Sequence, residues 1–163
     1  MLVASAGRSE GPASRSWEAM FDSTVSAMSG SLARSSCASR TAAFTDTAAA
    51  VECAIRLQRL LSDRDVDQAN EEASAHVALA LHTGEVIREG DSVYGRNVVL
   101  ACRLADHAAP GEVLATRPVL NALAGATAER FRVAGSVALV GVRDPQELFR
   151  VAWREGGVDP EGG

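Results

Sequence analysis

A run of apolar residues at helical spacing follows Asp46, and it constrains the fold of this chain more than any other feature. The apolar positions repeat with a period of 3.6 residues, which predicts a helix with one broad apolar face. Short β-like runs stand on both sides, "TAAF" before it and "HVALALHTGEVI" after it. A face of this width has to be covered, so the pattern predicts a helix packed on a sheet. The face comprises Ala50, Val51, Ala54, Ile55, Leu57, Gln58 and Leu61.

Helix and strand signals continue to the end of the chain. "RNVVLACRLADHA" predicts a second amphipathic helix, and "RPVLNALAG" predicts a short helix with Pro in its first turn. "APGEVLAT" predicts a turn into a strand, and "ERFRVAG", "SVALVG" and "QELFRVAW" predict three more strands. "SDRDVDQANEEAS" is typical of a solvated loop. Tight βαβ repeats are absent, so we expect an α+β fold with helices against a mixed or antiparallel sheet.

Composition divides the chain near residue 40. Residues 1–40 are rich in Ser, Ala, Gly and Arg, and such segments bury too little apolar surface to offset roughly 1–2 kcal/mol of ordering entropy per residue. We therefore expect a poorly ordered or degenerate segment over 1–40, a compact domain over 41–153 and a flexible tail over 154–163. Within the first segment, "WEAMFDSTVSAM" predicts a short helix with Trp17, Met20, Phe21 and Val25 on one side.

Charge and cysteine content exclude several classes of protein. The net charge is −5 and the sequence has no Lys/Arg run, which argues against a nucleic-acid surface. No apolar run reaches the roughly 18 residues of a membrane span, and the first residues do not have the pattern of a secretory signal. Cys37, Cys53 and Cys102 show no CxxC spacing, which favours reduced thiols. We therefore expect a cytoplasmic protein without nucleic-acid or membrane partners.

Four segments together resemble the class III nucleotidyl cyclase homology domain, the adenylate/guanylate cyclase catalytic fold. "LHTGEVIREGDSVYGRNVVLACRLADHAAPGEVLAT" carries two of them and is similar to the family pattern "GLHTGEv…gdDyyGxxVNxAARLxxxAxpGeilvS". "AAAVECAIRLQRLL" resembles the helix upstream, and "FRVAGSVALVGVRDPQELFRV" resembles the closing "LKGxxxPxxlYrV" hairpin. The resemblance covers about residues 43–152. It implies a ferredoxin-like nucleotidyl cyclase fold, here with its first strand missing.

The resemblance also implies a chemistry whose metal half is absent from this chain. In the family, two Asp residues bind two Mg²⁺ or Mn²⁺ ions, and the metals activate the ribose 3′-hydroxyl that attacks the α-phosphate. The second metal Asp aligns with Ala38, and the purine-reading Lys aligns with Arg34. The first metal-binding strand has no counterpart, since the one candidate, Asp22, lies too close to Phe44. We therefore expect no metal cofactor.

The other half of the family's site is partly retained. The purine-reading Asp aligns with Ser92, and Asp91 lies beside it, so these two are the candidate substrate-binding residues. The ribose-positioning Asn aligns with Val99. Asn97 is near but points about 200° away round the helix.

Arg103 matches the family Arg that stabilises charge on the phosphate, and it is the candidate catalytic residue. The alternative is a surface arginine paired with Asp106 or Glu112. Sequence alone leaves both open.

Asp46 in "FTD" also has two interpretations. It could be a metal-binding carboxylate on a strand, or it could be the cap of the following helix. The resemblance favours the cap, because the helix follows Phe44 at the family's distance. For His82 we expect a satisfied strand histidine rather than a catalytic base.

Three hypotheses for function follow. The first is an inactive, regulatory cyclase-like domain that acts through dimerisation or weak nucleotide binding. The second is a subunit that forms cyclic AMP from ATP only beside an intact cyclase, in a heterodimer to which it lends Arg103. The third is a truncated or frameshifted remnant whose first 40 residues no longer encode the opening strands.

Overall fold

The computed structural model describes residues 2–6, 14–28, 30–33, 40–67 and 77–154. None of the helices in these ranges combines the length and the apolar character needed to span a bilayer. The elements are β1 (Leu2–Ala6), α1 (Ser14–Ala27), β2 (Ser31–Ala33), β3 (Arg40–Phe44), α2 (Thr47–Asp67), β4 (Leu79–Thr83), β5 (Ile87–Glu89), β6 (Ser92–Tyr94), α3 (Arg96–His107), β7 (Val113–Thr116), α4 (Arg117–Asn121), a 3₁₀ helix (Gly125–Arg130), β8 (Phe131–Val137) and β9 (Gln146–Val151).

Seven of the strands form one mixed sheet in the order β2-β3-β1-β4-β7-β9-β8, and β5 pairs with β6. β1 runs antiparallel to both of its neighbours, with Val3 opposite Ala43 on one side and His82 on the other. β4 and β7 are parallel, with Leu79 opposite Val113. The predicted α+β fold, with helices packed on a mixed sheet, is confirmed.

β1 corrects the expectation that the first strand is missing. Leu2–Ala6 lies inside the sheet, and β3 and β4 bond its backbone on both edges. β2 and α1 come from the same Ser/Ala-rich segment. β2 pairs with β3, and α1 buries Phe21 and Val25 as predicted for this helix. Elements of the first 40 residues are therefore part of the same sheet and core as the rest.

The two faces of the sheet are covered by different helices. Successive strand residues point to opposite faces, so Leu79 packs with α1 and α2 while Ala80 packs with α3. The same alternation separates Ala115 from Leu114 on β7. The predicted apolar face of α2 is buried, since its members Ala50, Val51, Ala54, Ile55, Leu57, Gln58 and Leu61 are all at most 5% exposed.

Two boundaries differ from the sequence prediction. α2 continues to Asp67 and takes in the first six residues of the predicted loop, because residues 62–67 contain no Gly or Pro to end the helix. The three predicted C-terminal strands are two. β8 extends from Phe131 to Val137 because β9 pairs with both of its ends, with a bulge between Val133 and Gly135.

Candidate functional site

Asp46 lies in the turn between β3 and α2. Its Oδ1 accepts a hydrogen bond from the backbone N–H of Ala48 at 3.1 Å, and its Oδ2 accepts one from Ala49 at 3.3 Å. The first turn of a helix has N–H groups without acceptors inside the helix, and Asp46 satisfies two of them. The predicted cap is confirmed, which leaves the metal-ligand interpretation of "FTD" without support.

Asp22 lies on α1 rather than on a strand. Its Oδ2 accepts a hydrogen bond from Nη2 of Arg40 at 3.3 Å, and the same nitrogen lies 3.5 Å from Oε2 of Glu18. We call these three residues the Arg40 cluster. Arg40 begins β3, so the cluster ties α1 to the sheet. Asp22 Oδ1 and Arg40 Nε are buried without a hydrogen-bond partner.

The outer face of α3 presents both Val99 and Arg103. Val99 is 39% exposed, and Arg103 is exposed one turn later. Glu112, one of the two partners expected for Arg103, instead binds Arg150. No ion pair joins Arg103 to Asp106 or to another residue in the described part of the chain. Arg103 is therefore available to a ligand or to another chain.

Asp91 and Ser92 lie on the β5–β6 hairpin, which precedes α3 along the chain. Asp91 is exposed in the turn, and Ser92 opens β6 opposite Glu89. Gly90 has a φ of 55°, which a glycine adopts without a Cβ clash. Within the described ranges no hydrogen bond links either Asp91 or Ser92 to Arg103. Their role in substrate binding stays a prediction.

A buried polar network joins β4, β7 and α3. His82 is 5% exposed, its Nδ1 lies 2.8 Å from Thr116 Oγ1, and its Nε2 lies 3.1 Å from Asn97 Oδ1. Asn97 Nδ2 donates to the carbonyl oxygen of Glu85 at 2.8 Å. Because an amide oxygen can only accept, Nε2 carries the ring proton and Nδ1 accepts from the threonine hydroxyl. We call His82, Asn97 and Thr116 the His82 network.

The network decides two of the sequence predictions. Both ring nitrogens of His82 are bonded to protein groups, so the predicted satisfied strand histidine is confirmed. Asn97 points inward while Val99 points outward, as helix geometry predicts for these two positions. Burial lowers the pKa of His82, the hydrogen bond to Asn97 opposes this shift, and the positive charge of Arg96 adds to it.

Gly84 makes this arrangement sterically possible. A Cβ at this position would lie 2.4 Å from Asn97 Nδ2 and 2.5 Å from Asn97 Cγ. No sequence pattern indicates the close approach of Gly84 to Asn97. The sequence does indicate that Asn97 points inward, because it lies about 200° round the helix from Val99.

One of the two described cysteines departs from the expectation of reduced thiols. Cys53 is free and buried, and burial raises the pKa of its thiol to about 11 despite the opposing charge of Arg56. Cys102 is also buried but is disulfide-bonded. Sequence spacing does not tell which cysteines meet in space, so the expectation fails for Cys102.

The carboxylates of the described residues do not fit the two-ion site that the resemblance implies. In the described part of the chain, no group of three or more His, Cys, Asp or Glu side chains could hold a metal ion. The sequence of β1, LVASA, contains no carboxylate. Asp46 and Asp22 are engaged as helix cap and ion pair. Arg34 and Ala38 lie outside the described residues, as do His76 and the tail from residue 155.

Comparisons with solved structures identify the fold. No family model and no curated protein matches the chain. The adenylate/guanylate cyclase/hydrolase from Silicibacter pomeroyi is 18% identical with a TM-score of 0.78, over 93% of this chain and 95% of that one. An adenylate cyclase from Trypanosoma brucei in its monomeric state is 17% identical with a TM-score of 0.73, over 92% and 88%. The adenylyl cyclase CyaB from P. aeruginosa is 16% identical with a TM-score of 0.73, over 93% of both chains.

These matches confirm the fold that the resemblance predicts. The chain has the fold of class III adenylate/guanylate cyclase catalytic domains.

Proposed function

We propose that this chain is a cytoplasmic, cyclase-like protein of cyclic-nucleotide signalling that acts as a regulatory or dimerisation module and makes no cyclic nucleotide alone. The proposal rests on the contacts that the described carboxylates make within the chain. Asp46 caps α2, Asp22 pairs with Arg40, and β1 has no carboxylate. Two-metal catalysis needs carboxylates to hold the ions that activate the attacking oxygen. A homodimer would therefore combine two sites that both lack these ligands.

The retained half of the site supports weak nucleotide binding rather than catalysis. Arg103 offers a planar set of donors to a phosphate, and it is exposed. Val99 places an apolar side chain where the family has an Asn that positions the ribose. Without metals, the electrostatic contribution that is usually largest in such chemistry is absent.

A cyclase subunit that works only in a heterodimer is the second candidate. One observation favours it, since Arg103 makes no ion pair within the described residues. In such a pair the intact partner would bring both metal-binding Asp residues, and this chain would bring Arg103.

The test is a cyclase assay with Mn²⁺ and ATP or GTP, on the chain alone and mixed with an active homologous cyclase domain whose matching Arg has been removed. We expect no cyclic nucleotide in either case, and Val99→Asn should not create activity. Rescue in the mixture that Arg103→Ala abolishes, while Arg143→Ala keeps it, would establish the second candidate. Product from the chain alone, lost in Arg103→Ala, would overturn the proposal.

A further inference from the structure

β8 is the last strand of the seven-stranded sheet, and in the described part of the chain only β9 pairs with it. Residues 132–136 are all exposed, so neither face of the strand is covered there. We call the side of β8 that points away from β9 the β8 edge. An open edge presents backbone N–H and C=O groups that can pair with another extended segment.

The register with β9 identifies the residues whose backbone groups face the β8 edge. The backbone N–H of Ala152 donates to the carbonyl oxygen of Arg130, and the register continues residue for residue to Val133. In an antiparallel pair, residues that exchange bonds with the neighbouring strand alternate with residues that face away from it. Phe131 and Val133 therefore direct their backbone N–H and C=O groups to the β8 edge.

One face of β8 carries an apolar side chain that nothing covers. Val133 lies opposite Phe149, which packs in the core with α1 and α2 and is 3% exposed, whereas Val133 is 72% exposed. The apolar layer of the sheet therefore extends one strand beyond its cover. An apolar side chain opposite Val133 in an added strand would bury part of this surface.

The other face of β8 carries a positive charge without a carboxylate. Arg132 lies opposite Arg150, and like charges in this position repel. Glu112 pairs with Arg150, whereas no ion pair to Arg132 exists among the described residues. Nη1 of Arg132 instead donates to the carbonyl oxygens of Phe131 and Glu129. Because the Phe131 carbonyl faces outward, the guanidinium lies at the β8 edge, where a carboxylate of an added strand can reach it.

We propose that the β8 edge binds a short extended peptide segment of another protein, in which an acidic residue stands next to an apolar one. The segment runs antiparallel to β8, since parallel pairing is less stable per residue. Its apolar residue lies opposite Val133 and exchanges two backbone hydrogen bonds with it. Its acidic residue lies opposite Arg132. In recognition of this kind, backbone bonds provide affinity and side chains provide selectivity.

The sequence of β8 argues against a second copy of the chain as the occupant. FRVAGSV contains no carboxylate, so a second β8 would leave Arg132 uncompensated. The bulge between Val133 and Gly135 bends the strand, which confines regular pairing to residues 131–133. The bound segment is therefore short.

The test is fluorescence anisotropy of the full chain with a labelled, end-blocked peptide, Thr-Val-Asp-Val-Thr, whose valines and carboxylate fall on opposite faces of a strand. We expect saturable binding. N-methylation of both valines should abolish it, because their N–H groups face β8, whereas N-methylation of the aspartate should leave the Kd unchanged. The peptide Thr-Val-Lys-Val-Thr should bind on the order of tenfold more weakly.

Arg132→Glu should reverse the preference between the two peptides, and tighter binding of the lysine peptide also shows that this variant is folded. Arg143→Glu is the matched control, because it makes the same charge change at an exposed position of the β8–β9 turn and should leave both Kd values unchanged. Absence of saturable binding, equal effects of the two methylations, an unreversed preference or an equal effect of the control variant would each overturn the proposal.

Sedimentation equilibrium of the chain without peptide tests the other occupant. Dimers that disappear in Arg132→Glu would assign the β8 edge to a second copy and would also overturn the proposal. Peptide binding at this edge goes beyond the proposed function and uses no residue of α3. Its failure therefore does not count against the proposed lack of cyclase activity.

Discussion

Two polar clusters hold helices against the sheet, and only one of them is complete. In the His82 network, both ring nitrogens of His82 and the side-chain amide of Asn97 have partners. In the Arg40 cluster, Asp22 Oδ1 and Arg40 Nε are buried without one. A buried polar group without a partner costs stability, so the two clusters are not equivalent.

The two clusters lie in the two parts into which composition divides the chain near residue 40. The His82 network lies within the segment that resembles the cyclase pattern, and the Arg40 cluster lies within residues 1–40, outside that segment. We infer that the region around α3 is specified by close polar packing, while the junction of α1 and β3 tolerates substitution. The predictions below test this contrast.

The largest effect is expected from Gly84→Ala. The added Cβ would lie 2.4 Å from Asn97 Nδ2, so Asn97 must move and give up its hydrogen bonds to His82 and Glu85. The free energy of unfolding, measured by urea denaturation, should fall by about 2–3 kcal/mol. Gly90→Ala is the control, because its site is open and only its positive φ costs about 1 kcal/mol. Equal losses in both variants would contradict the close-packed network.

Removing one member from each cluster compares the two regions directly. Asn97→Ala leaves the His82 Nε2–H buried without its acceptor, which should cost about 1–3 kcal/mol. Asp22→Ala should cost less than about 1 kcal/mol, since the side chains of Asp22 and Arg40 are 35% and 40% exposed and Glu18 remains near the arginine. The measurement is again urea denaturation. A larger loss of unfolding free energy in Asp22→Ala than in Asn97→Ala would contradict the difference between the two clusters.

Asp46→Ala should destabilise the chain by about 0.5–2 kcal/mol, because two N–H groups of α2 lose their acceptor. Asp63→Ala, at an exposed position of the same helix, should have little effect on thermal unfolding. Isothermal titration with Mn²⁺ and ATP should show no metal-dependent binding for any of these proteins. Metal-dependent binding that disappears in Asp46→Ala, with unchanged stability, would contradict the cap.

The smallest effect is a pH dependence from His82. Burial lowers its pKa below the ordinary value of 6.5, so below pH 6.5 the unfolded chain takes up a proton that the folded chain binds less readily. Stability should therefore fall as the pH decreases from 6.5 towards the folded-state pKa, and it should not depend on this group above 6.5. His82→Gln should flatten the dependence measured by urea denaturation. His107→Gln, at an exposed position of α3, should preserve it, and an unchanged slope in His82→Gln would contradict the assignment.

Local features of the site are predictable from the sequence, and the pairing of distant segments is not. The cap at Asp46 and the inward direction of Asn97 follow from helix geometry over a few residues. The sequence LVASA does not predict a strand, because its apolar signal is weak and its strand state depends on bonds to β3 and β4. The disulfide of Cys102 likewise depends on contacts in space.

The interior position of β1 also has a consequence for the order of folding. β1 pairs with residues about 40 positions later in β3 and about 80 positions later in β4. Loops of this length close slowly, and such non-local pairings lower the folding rate. During synthesis β1 leaves the ribosome before β3 and β4 and must wait for them before both of its edges are bonded. Until then β1 keeps unpaired edges, which makes the growing chain prone to aggregation at this stage.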